Sequence, residues 1–330
     1  MDGLDPILDA DAVIRRDSPA LWEALSPLGR RARQPANFLP LQTAEARGKA
    51  FNATIGQITD GRGRAVPLPS MSAALAGLED GERSRAFLYS PVEGLADLRR
   101  AWREWQRRGQ RPELPSSLPI VTCGAAQARG LALELFADDG RAVVLRSGGR
   151  PGDRDLLEQR LGARILETPP HHGRFDPTAI ARALAPLVNG EPAVVLLEFP
   201  CEETGYVPTG HERSTLRHSL IEIAEHRPLV VIVDDTWEVP ETPSGSFFWG
   251  LIGRHPNLVP VKVDGADGHL GFPGGRVGFL TFPFDPESGI AVALESKMKM
   301  LLRAEVGSPS TASQVVLLRA LLSSVRSASE

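Results

Sequence analysis

The residues able to do chemistry in this sequence fall in loops that flank short apolar runs. After Pro119–Thr122 comes Cys123-Gly124-Ala125-Ala126-Gln127, a glycine turn opening a helix. Free backbone amides and the helix dipole at such a turn suit a phosphate, although most glycine turns into helices are only connections. After Ala193–Leu197 comes Phe199-Pro200-Cys201-Glu202-Glu203-Thr204-Gly205-Tyr206, a turn whose glycine tolerates positive φ. After Leu229–Val233 stand Asp234 and Asp235, then Thr236 and Trp237, and a carboxylate there is more often a helix cap than a functional group. Pro273-Gly274-Gly275-Arg276-Val277-Gly278 leads into a further run, where an arginine is more often a surface ion pair than a ligand-binding group.

The elements that must position these loops alternate. Strand candidates are Pro119–Thr122, Ala142–Leu145, Ala193–Leu197, Leu229–Val233, Leu258–Val263 and Arg276–Phe282. Helical patterns fit Ala125–Phe136, Asp153–Leu161, Pro177–Leu187, Glu212–Glu225 and Glu287–Arg303. Strand and helix in alternation imply an α/β fold, a mostly parallel sheet of about seven strands covered on both faces, with Arg276–Phe282 antiparallel. Ligands in such sheets sit beyond the carboxyl ends of the strands. Upstream, a helix starts near Gly94 with Leu95, Leu98, Trp102 and Trp105 at helical spacing among arginines, and a shorter helix follows Ser18 as its cap. The arginine- and proline-bearing stretch Gly29–Pro40 reads as loop.

Bulk properties exclude some functions. The net charge of −4 gives no basic footprint, so the Trp/Arg helix reads as a solvated amphipathic helix rather than a nucleic-acid platform, and no nucleic-acid or membrane partner is expected. Residues Met1–Arg15 lack a secretory pattern, no apolar run reaches membrane-spanning length, and two cysteines cannot build a disulfide framework; a cytoplasmic location is expected.

In order along the chain, Asn52-Ala53-Thr54-Ile55-Gly56, Tyr89-Ser90-Pro91 with Gly94 and Leu98-Arg99, the Gly124 turn, Phe199-Pro200 with Thr204-Gly205-Tyr206, Asp234-Asp235, Val261-Lys262 with Asp264-Gly265-Ala266, and Gly274 with Arg276-Val277-Gly278-Phe279 resemble the landmarks of class I/II aminotransferases. The resemblance runs from about residue 50 to the end. It implies the three-layer large domain of fold type I pyridoxal-phosphate enzymes, a homodimer, and a small amino or keto acid as substrate. It divides the chain into an N-terminal arm (1–48), the large domain (49–305) and the start of a C-terminal segment (306–330), with the family's C-terminal small domain cut short. It also implies that Arg276 and the amides around Gly124, Ala125 and Ala126 bind the cofactor phosphate. Tyr89 would reach the phosphate in the other subunit, and Asp234 would pair with the pyridinium nitrogen.

The sequence departs from that pattern at the same pocket. The position of the cofactor-holding lysine is Gly268, in Asp264-Gly265-Ala266-Asp267-Gly268-His269, and the chain's lysines are Lys49, Lys262, Lys297 and Lys299, none a convincing substitute. Glu202 stands where the family's asparagine donates to the ring hydroxyl, and Trp237 where it has a tyrosine. No aromatic residue occurs in Ser147-Gly148-Gly149-Arg150 to stack on the ring. These losses imply a pseudoenzyme: pyridoxal phosphate non-covalent and weakly held if bound at all, transamination absent, and only partial recovery on restoring lysine at Gly268. One alternative is an enzyme using untethered cofactor or another ligand with His269 or Glu202 as base. Another is a non-catalytic partner of an intact homologue. Cys123 and Cys201, with Glu202, Asp234 and His269 nearby by the same resemblance, could be gathered around a metal, but structural thiols account for them and no metal is expected. The other histidines lack ligand spacing.

Overall fold

A computed structural model describes residues 10–32, 39–49, 54, 58–60, 62–108, 113–170, 175–238, 245–268 and 270–327. Seven strands, β1 (Ile120–Thr122), β2 (Ala142–Arg146), β3 (Arg164–Thr168), β4 (Ala193–Glu198), β5 (Leu229–Asp234), β6 (Leu258–Gly265) and β7 (Gly278–Thr281), form one sheet in the order β1-β7-β6-β5-β4-β2-β3. All pairings are parallel except those of β7, which runs antiparallel to both β1 and β6. The expected α/β sandwich with one antiparallel strand is what forms.

Near-continuous apolar runs mark strands buried on both faces, and β5 shows how the alternation is used. Val231 and Val233 pack with Leu216, Leu220, Phe247, Phe248 and Leu251 of the helices Gly210–His226 and Phe247–Leu251. Ile232 faces the other way, toward Leu131, Leu133, Met298 and Leu302 of the helices Ala125–Phe136 and Gly289–Glu305. A third core joins Leu98, Trp102 and Trp105 of the helix Ala96–Gln106 to Met71, Phe279 and residues Val315–Leu318 of the helix Thr311–Ser327. Trp102 is fully buried and stacks on Phe279 with ring centroids 4.1 Å apart, so its apolar spacing serves packing.

Several details differ from the sequence reading, among them the unanticipated helices Pro69–Ala76 and Asp80–Ala86. β3 was not expected: it is an edge strand with exposed Arg164 and Glu167, so it lacks the apolar run that marks its neighbours. Part of the expected Gly29–Pro40 loop is helical, because Ser26 Oγ accepts from Gly29 N and starts the turn Pro27–Arg31, and Leu39–Glu45 is also a helix. Ser18 precedes Pro19–Ala24, but its side chain makes no capping hydrogen bond.

The register opens a crevice. β2 pairs with β4 only from Ala142↔Ala193 to Val144↔Val195; beyond that, β2 continues with β3 to Arg146↔Thr168 and β4 with β5 to Glu198↔Asp234. The strand order reverses there, which is where open α/β sheets leave room for ligands. A cavity of about 560 Å³ lies at this splay, lined in part by Leu145, Leu197, Phe175 and Ile180, with Arg150 and Asp234 among its polar walls.

Candidate functional site

The strand-end loops converge at the carboxyl edge of the sheet. Gly124, with φ 90°, caps the helix Ala125–Phe136, and a side chain there would run into the Arg276 guanidinium. Arg276 itself adopts left-handed φ 50° before β7, and Gly278 lies so close that a Cβ would overlap the Gly124 carbonyl and the Ala125 nitrogen. Arg276, the Gly124 turn and the first turn of that helix are thus neighbours; Ala125 is buried and Ala126 exposed. The cup carries its own counter-charge, because Arg276 Nη1 lies 3.1 Å from Asp267 Oδ2.

Asp234 ends β5 with its side chain 1 % exposed. Oδ2 accepts from Arg129 Nη1 at 2.7 Å, while Oδ1 accepts from Thr236 N at 3.0 Å and Thr236 Oγ1 at 2.5 Å. Arg129 also donates to Asp153 Oδ1 at 2.7 Å. Arg150, following Gly148 and Gly149, lies over this group: its Nη2 donates to Glu198 Oε1 at 2.7 Å, its Nε is 2.7 Å from Glu202 Oε2, and its Nη1 is 3.6 Å from Asp234 Oδ2. Burial alone would raise the Asp234 pKa, but Arg150, Arg129 and the Thr236 hydrogen bonds hold it below the usual carboxylate range. Arg129, Asp153, Glu198 and Asp267 were absent from the sequence-derived site. Arg129 carried a signal, a cation on the same helical stripe as Ala125, Ala132 and Leu133.

At Gly268 a Cβ would overlap the Thr236 carbonyl oxygen and stand 2.9 Å from Trp237 Cε3. Trp237 is half-buried, with Nε1 buried and without a hydrogen-bond partner among the described residues. Lys262 points into a buried network instead, with Nζ 2.8 Å from both Asp235 Oδ2 and Asp264 Oδ2. Burial would lower its pKa, but the two carboxylates outweigh it and keep the amine a cation rather than a nucleophile. Lys299 pairs with Glu93 at 3.0 Å. Tyr89 is 97 % exposed. His269, Asn52-Ala53 and Ile55-Gly56 lie outside the described residues. Glu198, Cys201 and Glu203 offer ligand atoms within 4.8 Å of one another, but Arg146 and Arg150 are paired with those two carboxylates; Cys201 is buried and Cys123 half-buried.

Three carboxyl groups at or beside this site hold their protons unusually tightly. Burial, with Asp234 and Glu203 adding to it, pushes Glu198 up to about 7 against the pull of Arg150. Burial likewise pushes Asp235 up to about 6 despite Lys262, and Asp267 up to about 6 despite Arg276. A carboxyl whose folded pKa exceeds its unfolded value stabilises the fold in its protonated form, fully below pH about 4, and that stabilisation is lost as pH rises through about 6 to 7. The urea midpoint is therefore expected to be higher at pH 5 than at pH 8 at constant ionic strength. A flat or opposite profile would show that these groups ionise in the fold without cost.

Residues 49–328 match the family model "Aminotransferase class I and II". Aminotransferase swnA of Metarhizium robertsii is 25% identical over 287 residues, 84% of this chain and 54% of that protein. The 2-aminoadipate transaminase of Thermus thermophilus is 30% identical over 154 residues, 46% of this chain and 35% of that protein. The chain thus spans little more than half of the first relative and about a third of the second. Among solved structures, an aminotransferase from Anaerococcus prevotii superposes with a TM-score of 0.71 at 19% identity, covering 88% of this chain and 75% of that one. The Thermus thermophilus aspartate aminotransferase with maleate gives 0.69 at 20% identity, covering 93% and 75%. No described helix is long and apolar enough to cross a membrane. On the extent of the family match, with the fold in agreement, the chain belongs to the class I and II aminotransferases.

Proposed function

We propose that this chain is a degenerate aminotransferase, a cytoplasmic protein that retains the fold of the family but does not transaminate. The observation that carries the reading is Gly268, where the lysine position holds no amine and its backbone is packed against the Thr236 carbonyl and the Trp237 ring. Family members bind pyridoxal phosphate, and the residues here do not fit its ring. Both oxygens of Asp234 are engaged by Arg129 and Thr236, with Arg150 close by, and Glu202 is engaged by Arg150. No catalytic step through the cofactor follows from this site. Borohydride reduction of the protein with added pyridoxal phosphate, followed by peptide mass spectrometry, is expected to trap no cofactor, and amino or keto acids are expected not to exchange amino groups. Cofactor specifically trapped on Lys262, Lys297 or Lys299, with turnover, would make the chain an active transaminase.

A second reading is favoured by Phe87, Leu88 and Tyr89, which are 91%, 65% and 97% exposed in one contiguous stretch. Consecutive exposed large side chains mark a surface that associates. We assign it to pairing, either with a second copy or with an intact homologue whose phosphate Tyr89 would reach. Sedimentation is expected to show a dimer that Phe87→Asp with Leu88→Asp weakens; a wild-type monomer at micromolar concentration that also captures no intact homologue would rule the pairing out.

A further inference from the structure

We propose that the chain carries its own occupants for the cofactor site, with the Arg150 guanidinium standing in the place of the pyridinium and the Asp267 carboxylate in that of the phosphate. The proposal rests on the family reading of the site and says why it stays closed.

The substitutions compensate one another chemically. A pyridinium is a planar cation with one N–H to offer, whereas a guanidinium is a planar cation with five. Asp234 can serve either, but the larger cation calls for further partners, and the site supplies Glu198, which accepts from Arg150 Nη2 at 2.7 Å, and Glu202, ion-paired at 2.7 Å with Arg150 Nε. Glu202, repulsive toward a ring hydroxyl, is therefore matched to Arg150. Gly148 and Gly149 fit the same account. The aromatic side chain expected in that stretch is missing, and the Arg150 side chain, 18 % exposed, reaches the three carboxylates from the same loop. At the other end Asp267 Oδ2 meets Arg276 where the phosphate would, and Asp267 Oδ1 is buried without a hydrogen-bond partner among the described residues. That leaves Arg276 as the described donor to this carboxylate. The charges interlock locally: Arg129 bridges Asp153 and Asp234, Arg150 faces Glu198, Glu202 and Asp234, and Arg276 faces Asp267.

An internal ligand lowers the apparent affinity for an external one by the fraction of time the site stands open. With the site open about 1% of the time, the loss is on the order of 100-fold. The test uses pyridoxine 5′-phosphate, which has the ring and phosphate but no aldehyde, so binding is read without any Schiff base. By equilibrium dialysis on the full chain, a variant combining Arg150→Ala, Glu198→Gln and Glu202→Asn is expected to bind on the order of 100-fold tighter than wild type. The two carboxylate changes accompany Arg150→Ala so that no carboxylate is left without its cation. Asp267→Asn is expected to tighten inorganic phosphate binding about tenfold, with pyridoxine phosphate following only where Arg150 is also removed. If the triple variant does not fold, Arg150→Lys decides, since it keeps the charge but loses the planar fork and is expected to bind the probe measurably tighter than wild type. Wild type binding the probe as tightly as the folded variants, or variants no tighter than wild type, overturns the proposal. Either result leaves the functional reading intact, because that reading falls only to trapped cofactor and turnover.

Discussion

Gly268→Ala is expected to destabilise the fold by about 1–3 kcal/mol, the range for inserting a methyl group where no space exists. The overlap is with the Thr236 backbone carbonyl, which cannot rotate aside as a flexible side chain would, and with the fused ring of half-buried Trp237. Gly274 provides the control in the same loop region. A Cβ there meets nothing within 4 Å, so Gly274→Ala is expected to be close to neutral. Gly268→Lys is correspondingly expected to lower the thermal midpoint and to form no reducible link to pyridoxal phosphate. From the sequence alone a partial recovery is the natural expectation, since an amine is restored while Glu202, Trp237 and the missing stacking ring still weaken the site. The packing changes that, because the Thr236 carbonyl and the Trp237 ring leave no room for a side chain at Gly268. Chemical denaturation of the three variants checks the stability arm, and borohydride trapping on Gly268→Lys checks the chemical one. An undisturbed Gly268→Ala, or cofactor trapped at position 268, would show that the loop opens readily and that the defect is a single missing side chain.

The contrast shows what a linear sequence can and cannot disclose. β4, β5 and β6 are legible because a strand buried on both faces is an uninterrupted apolar run, and the helix Ala125–Phe136 because Gly124 announces its start. β3 is not legible, since an edge strand needs one apolar face and Arg164-Ile165-Leu166-Glu167-Thr168 is short and flanked by charge. Asp234, Arg276 and the Gly124 turn could be named in advance because they sit at strand ends and helix starts, whose places the fold class dictates. Their partners could not. Arg150 follows β2, Glu198 pairs with Asp234 across β4 and β5, Glu202 follows β4 and meets Arg150, and Arg129 reaches Asp234 from inside a helix, so residues far apart in sequence come together only in the fold. Glu202 illustrates the cost of reading one position at a time. Considered against a cofactor it is a defect, whereas considered against Arg150 it is the counter-charge of a cation.

Arg129→Met is expected to cost about 3–5 kcal/mol, the range for removing one partner of a buried ion pair. The guanidinium is 5% exposed and joins two carboxylates, Asp153 at 11% and Asp234 at 1% side-chain exposure. Methionine can fill much of the same volume, so the cost is electrostatic: it arises from carboxylates that have lost their cation away from water. Two consequences separate this from a simple packing defect. First, the deficit relative to wild type should shrink as pH falls, because Asp234 loses much of what depresses its pKa and can take up a proton instead; a cavity would leave that deficit unchanged. Second, Arg129→Met combined with Asp234→Asn should be less damaging than the sum of the two changes, by about 1–3 kcal/mol, since the amide removes the stranded charge and Thr236 N can still donate to its oxygen. Urea denaturation at pH 5 and pH 8 on wild type, the two single variants and the double variant supplies the cycle. Strict additivity, or a loss for Arg129→Met below about 1 kcal/mol, would mean that water reaches Asp234 in solution and that the carboxylate is open to an external cation after all.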